Sequence, residues 1–140
     1  MILESDMPSR PPIDIAIVDD DESVRTSLRR LCIVLGLNTT AHASGEAFLR
    51  SLDGGRLPDC LLLDAHMPRM TGLEVQQHLV RTGVRLPTII YTADDAPEVL
   101  ARYVDAGVAG YLEKPIDGEK LLATINQAIA MMRYAAPMVR

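Results

Sequence analysis

This chain of 140 residues predicts an α/β fold: five strand–helix units wound into one parallel five-stranded sheet with helices on both faces. Three observations carry that expectation. Short apolar runs alternate with amphipathic stretches along most of the chain. The first, third and fourth runs are nearly unbroken in apolar residues, as parallel strands covered on both faces must be. The stretches between the runs repeat apolar residues at the spacing of one helix face.

The elements follow in order. Residues 1–12, "MILESDMPSRPP", form a lead-in, because Pro8, Pro11 and Pro12 block regular structure. The first strand is "IDIAIVD", 13–19. A helix follows from Glu22, with Val24, Leu28, Leu31, Cys32 and Leu35 on its apolar face, Arg25, Arg29 and Arg30 on its solvated side, and Gly36 as its stop. "NTTAHA", 38–43, is the second strand, and Ser44 can cap a short helix running to Leu52. The third strand is "CLLLD", 60–64. The spacing Thr71-Gly-Leu-Glu74 is that of a capping box and starts a helix to about Arg81. "TIIYT", 88–92, precedes a helix over 96–106. "AGYLE", 109–113, precedes a last helix capped by Asp117, with Leu121, Leu122, Ile125, Ala128, Ile129 and Met132 on one face. The domain thus spans 13–133, and "YAAPMVR", 134–140, reads as a tail or linker stump.

Composition narrows the function classes. Apolar residues make up 48% and charged residues 24% of the chain, as in an ordinary soluble globular domain. A net charge of −5 argues against a nucleic-acid surface, which needs a basic face. No apolar run approaches the roughly 18 residues that span a bilayer, and the N-terminus lacks the basic-then-apolar pattern of a secretory signal. Cys32 and Cys60 lie inside apolar stretches and read as buried free thiols of a reducing cytoplasm.

The polar residues gather at strand ends. In a doubly wound sheet, ligands bind beyond the carboxyl ends of the strands. The first strand ends in Asp19-Asp20-Asp21, the third in Asp64 and the fourth in Thr92, while Lys114-Pro115 follows the fifth. If those strands are neighbours, the residues meet in one cleft. Carboxylates held that close repel, and one is pushed toward protonation unless a cation intervenes. Mg²⁺ suits such a set, since it takes oxygen ligands and works with one or two carboxylates plus phosphate oxygens. Asp64 would keep an oxygen able to attack phosphorus, Lys114 would supply a cation to the transferred group, and Thr92 a hydroxyl donor. Taken singly, each residue has a plainer reading. A strand-end aspartate often caps the next helix, which suits Asp21 best; Lys114 could be a surface lysine, and Thr92 an ordinary β-branched strand residue. His66 lacks a partner at ligand spacing and reads as an exposed loop histidine, and Glu113, Asp94 and Asp95 read as solvated.

The stretches "IVDDDESVR", "LLLDAHMPRMTG", "IIYTA" and "GYLEKP" resemble the receiver domain of bacterial two-component response regulators, over residues 13 to about 132. The "SGEAFL" and "MPRMTGLE" segments are most similar to the branch that often carries a helix-turn-helix output domain. The resemblance implies a flavodoxin-like strand order 2-1-3-4-5, with Asp64 as phosphoacceptor. It implies Mg²⁺ held by Asp20 directly, by Asp19 largely through water, by Asp64, and by the backbone carbonyl of His66. It assigns Thr92 and Lys114 to the phosphoryl oxygens, makes Lys114–Pro115 a cis peptide, and matches Tyr111 to a switch aromatic that turns inward when Thr92 moves. His66 and Asp94 occupy positions that vary in the family and affect phosphate lifetime.

The implied partners are a sensor histidine kinase or histidine phosphotransfer protein, and a downstream protein or output domain on the face of the fourth helix, fifth strand and fifth helix. A homodimer is possible there, and neither direct nucleic-acid binding nor a membrane is implied. Such a protein is not an enzyme beyond catalysing its own phosphorylation and dephosphorylation. Two further readings stand beside the single-domain regulator: the receiver module of a longer DNA-binding transcription factor, and a phosphoryl-independent receiver that signals by contacts alone. A haloacid-dehalogenase-type phosphatase would also use a strand-end aspartate, Mg²⁺ and a lysine. It needs a second aspartate two residues on, where this chain has His66.

Overall fold

The computed structural model describes residues 11–93 and 96–135. The expected lead-in up to residue 10, the pair Asp94 and Asp95, and the tail from residue 136 lie outside the described residues. Strands β1 (Asp14–Val18), β2 (Asn38–His42), β3 (Cys60–Asp64), β4 (Thr88–Thr92) and β5 (Gly110–Glu113) alternate with helices α1 (Glu22–Val34), α2 (Gly45–Ser51), α3 (Gly72–Arg81), α4 (Pro97–Asp105) and α5 (Gly118–Ala135). All strand pairs are parallel, in the order β2-β1-β3-β4-β5. That is the doubly wound sheet the alternation predicts. Helix α5 runs to Ala135, two residues past the boundary expected at 133.

The helix starts are chemical. Asp21 caps α1 by accepting from the Ser23 and Val24 amides. Ser44 caps α2 through the Ala47 amide, and Thr71 with Glu74 forms the full capping box of α3. Asp117 accepts from the Lys120 amide at the start of α5. Each such cap contributes about 1 kcal/mol. Gly36 ends α1 at φ +80°, a conformation that glycine adopts without a Cβ clash. Helix α4 differs: Ala96 offers no capping side chain, and Pro97 and Glu98 stand in the first turn.

The burial pattern separates centre from edge. Strands β3 and β4 are buried at every position and β1 nearly so, while the edge strands β2 and β5 are only partly covered. Two cores flank the sheet. Ile15, Ile17, Cys60, Leu62, Ile89, Tyr91 and Leu112 pack with Leu28 and Cys32 of α1 and Leu121, Ile125 and Ala128 of α5. Ala16, Val18, Leu61, Leu63 and Ile90 pack with Phe48 of α2, Val75 and Leu79 of α3, and Tyr103 of α4. Both cysteines are buried and free, and burial pushes their thiols up, to about 11 for Cys32 and about 12 for Cys60. Among the described residues no helix is long and apolar enough to cross a membrane.

Because side chains alternate along a strand, parity decides which face each strand-end residue joins. Asp19 follows Ile15 and Ile17; Asp64 follows Cys60 and Leu62; Tyr91 follows Ile89; Lys114 follows Leu112. All four therefore fall on the α1/α5 side. By the same alternation Thr92 and Tyr111 belong to the side that α4 covers.

Leu62 lies at the centre of the middle strand and is fully buried. Leu62→Ala is expected to lower the unfolding free energy by about 3 kcal/mol, the usual scale for a buried leucine. Urea unfolding checks this, with a lower midpoint and an unchanged slope as the expected pattern.

Candidate functional site

The strand register brings the polar ends together. Val18 lies opposite Leu63, so Asp19 is carried to the level of Asp64. Asp64 lies opposite Tyr91 and Thr92 opposite Glu113, with the Lys114 amide donating to the Thr92 carbonyl at 3.0 Å. Carboxylate oxygens of Asp19, Asp20 and Asp64 all lie within 4.8 Å of one another. Asp19 and Asp64 are only 1% and 4% exposed, while Asp20 faces solvent. The Lys114 ammonium stands between the two buried ones, 3.5 Å from Asp64 Oδ1 and 3.9 Å from Asp19 Oδ2. The Lys114–Pro115 peptide is cis. Glu113 is exposed, and so is His66.

Electrostatics follow from that packing. Burial, then the charge of Asp19, pushes the Asp64 carboxyl up to about 6, against an opposing pull from the His66 amide and Lys114. Asp19 is better supplied. Its Oδ1 accepts from the Asp21 amide at 2.9 Å, and its Oδ2 accepts from the Tyr91 hydroxyl at 2.8 Å. Three carboxylates thus face one ammonium, a surplus of two negative charges. The donor set is all oxygen, partly buried and partly open. It fits a hard divalent cation such as Mg²⁺ in both charge and chemistry.

The loop after Asp64 is held from several sides. The His66 amide donates to Asp64 Oδ1 at 3.3 Å, and the Ala65 amide donates to the Tyr91 carbonyl at 3.1 Å. Arg69 sits at φ 67°, an unusual conformation for a residue with a side chain. Gly72 opens α3 where there is no room for more: a Cβ there would lie 2.6 Å from the Asp64 carbonyl oxygen.

Three residues of this neighbourhood escaped the sequence reading. Arg25, expected on the solvated side of α1, is half-buried and donates through Nη1 to the Asp19 carbonyl at 2.8 Å. It shares the first turns of α1 with Asp21, and that brings it back over the end of β1. Tyr91 reads as one more apolar residue of β4, yet its hydroxyl reaches Asp19 and its ring lies beneath Lys114, with Nζ 5.2 Å from the centroid. Tyr103 of α4 donates its hydroxyl to the Ala65 carbonyl at 3.0 Å. The only sequence signal for the two tyrosines was a phenol in a buried run, since a buried hydroxyl needs a partner.

An acid that binds its proton more tightly when folded costs stability once ionised. For Asp64 that cost is absent below the ordinary carboxylate value of 3.8 and complete above about 6. In metal-free buffer Asp64→Asn is therefore expected to be more stable than the wild type near neutral pH, by on the order of 1–3 kcal/mol, with the difference closing as pH falls toward about 4. Urea titrations in chelator across that range check it. A wild type more stable than the variant at neutral pH would contradict this electrostatic picture.

Comparison with known proteins agrees with the geometry. The family model described as "Response regulator receiver domain" matches residues 15–126. Response regulator MprA of Mycobacterium sp. (strain KMS) is 39% identical over 126 residues, which is 90% of this chain and 53% of that protein. MprA of Mycobacterium avium (strain 104) is 40% identical over 123 residues, 88% of this chain and 52% of the relative. The chain thus spans about half the length of these relatives. Among solved structures, FixJ-N aligns with a TM-score of 0.79 at 29% identity, covering 86% of this chain and 96% of the other. Chemotaxis protein CheY4 of Vibrio cholerae aligns with a TM-score of 0.77 at 26% identity, covering 84% of this chain and 99% of the other. With its acidic pocket at the carboxyl edge of a 2-1-3-4-5 sheet, the chain belongs to the response regulator receiver domain family.

Proposed function

We propose that this receiver accepts a phosphoryl group on Asp64, with Mg²⁺ as cofactor, from a phosphohistidine of a sensor histidine kinase or histidine phosphotransfer protein. The observation that carries the reading is Lys114, an ammonium set between the buried carboxylates of Asp19 and Asp64. In the transfer, an Asp64 carboxylate oxygen forms the new O–P bond while the P–N bond breaks, and the imidazole leaves with the bonding pair. Before transfer, the His66 amide and Lys114 both address Asp64 Oδ1. Lys114 then pairs with a phosphoryl oxygen, and the Thr92 hydroxyl donates to another.

Asp19, Asp20, Asp64 and the His66 backbone carbonyl would hold Mg²⁺, which supplies neutralisation of the carboxylates and of the incoming phosphate. Asp19 is already engaged by the Asp21 amide and Tyr91, which suits a contact made through water. Dephosphorylation at the same aspartate belongs to the same reading.

The acyl phosphate adds nearly two negative charges beside Lys114 and Thr92. Thr92 moves toward it, and Tyr111 exchanges its outward position, 48% exposed, for an inward one. The face of α4, β5 and α5 is thereby remodelled. Val104, Tyr111 and Met131, which are large, apolar and exposed, mark it as the surface for a downstream protein, an output domain or a second copy. The chain spans about half the length of the MprA relatives, and the reading holds both for a stand-alone regulator and for the receiver module of a longer transcription factor. Under this reading the working domain begins at residue 13 and includes α5 to Ala135, and the compartment is the cytoplasm, where the buried thiols stay reduced.

Intact-mass analysis after incubation with acetyl phosphate and Mg²⁺ tests the chemistry. One added phosphoryl group is expected, absent without Mg²⁺ and absent in Asp64→Asn. Stoichiometric labelling of that variant would overturn the assignment, and failure of the wild type to bind beryllofluoride would turn the reading toward a receiver that works by contacts alone. Mg²⁺ affinity should also fall as pH drops below about 6, because Asp64 must lose its proton to bind the ion. Calorimetric titration at several pH values checks that slope.

A further inference from the structure

The Tyr103 hydroxyl donates to the carbonyl of Ala65, the residue after Asp64, and Tyr103 is among the residues lining a cleft beside Tyr111. Among the described residues helix α4 has no side-chain cap at its start, and its C-terminal half is tied down by one buried and one part-buried polar bond. Tyr103 donates to the Ala65 carbonyl at 3.0 Å. Gln76 of α3 donates through Nε2 to the Ala106 carbonyl at the end of α4, at 3.1 Å. Tyr103 is buried. Gly72 makes room for it: a Cβ at that position would lie 3.2 Å from the Tyr103 hydroxyl oxygen as well as against the Asp64 carbonyl. Three backbone segments, the end of β3, the start of α3 and the middle of α4, therefore converge on one phenol oxygen.

Tyr103 also borders a cleft of about 160 Å³, lined by Leu100, Tyr103, Val104, Val108, Ala109 and Tyr111 among others. An apolar space of about 150 Å³ is enough to hold a benzene ring. The cleft is thus of the size that an inward-turned Tyr111 needs, and Tyr103 forms part of its wall.

We propose that Tyr103 is a positioning residue that couples the Asp64 loop to α4 and to the cleft receiving Tyr111. The inference rests on the phosphoryl-acceptor reading above. When the Ala65 peptide shifts with the loading of Asp64, the acceptor of the Tyr103 hydroxyl shifts with it. The ring then carries that displacement into α4 and the cleft wall. A hydrogen bond transmits such a bias only if the two states differ in it, so the hydroxyl, not the ring, is the informative atom.

Tyr103→Phe removes only that hydroxyl. Amide spectra of the whole chain are compared with and without Mg²⁺ and beryllofluoride, a mimic of the phosphoryl group. The wild type is expected to show shifts around Asp64, along α4 and at Tyr111. The variant is expected to keep the Asp64 shifts and lose at least half of the α4 and Tyr111 shifts. Equal α4 responses in the two proteins would overturn the coupling while leaving the phosphoryl-acceptor reading intact. Absence of any response in the wild type would overturn that reading and this inference together. Should the variant not fold, the Tyr103 ring resonances of the wild type decide: they move with beryllofluoride if the coupling is real, and stay fixed if it is not.

Discussion

Everything at the carboxyl edge of this sheet follows from the difficulty of keeping two buried carboxylates side by side. Asp19 and Asp64 cannot both stay ionised there without compensation. The chain compensates them unequally. Asp19 receives a backbone amide and a phenol. Asp64 receives one long amide contact and a share of Lys114. Burial and the neighbouring Asp19 charge hold the Asp64 carboxyl up at about 6. The asymmetry leaves Asp64 as the carboxylate with unmet demand, which is what a site awaiting a cation and a phosphoryl group requires.

The fold supports this pair through parity and register. Asp19, Asp64, Tyr91 and Lys114 share a face because each stands an even number of positions from a core residue on the α1/α5 side. A one-residue slip in any of those strands would send its end group to the opposite face. The central strands resist such a slip because both of their faces are buried. The apolar runs thus do more than stabilise the domain: they index the polar residues that follow them.

The opposite face of the sheet carries α4. Thr92 and Tyr111 belong there by the same parity, together with α4. That helix lacks a capping side chain at its start and is held near its end through Tyr103 and Gln76. Both faces of the sheet carry buried cores, and they differ in what stands at their carboxyl ends. The division suits a domain in which a local charge change must be read at a distance, because an element held by few bonds is the one a small energy difference can move.

The sequence by itself determined the five strand–helix units, their caps and the set Asp19, Asp20, Asp64, Thr92 and Lys114, because periodicity, capping chemistry and strand-end position are written within a few residues. The Thr71–Glu74 capping box and the Gly36 stop were legible for the same reason. What it could not determine were contacts whose partners are chosen by sheet order and register. Tyr91 lies 72 residues from Asp19, and Tyr103 lies 38 from Ala65. Arg25 was placed on the wrong side of its helix, because a solvent-facing position at the start of α1 bends back over the end of β1 once the helix docks. Local pattern fixes which face a residue takes in its own element; only the packed structure decides what stands opposite, and so which hydroxyls and guanidinium groups the acidic pocket acquires.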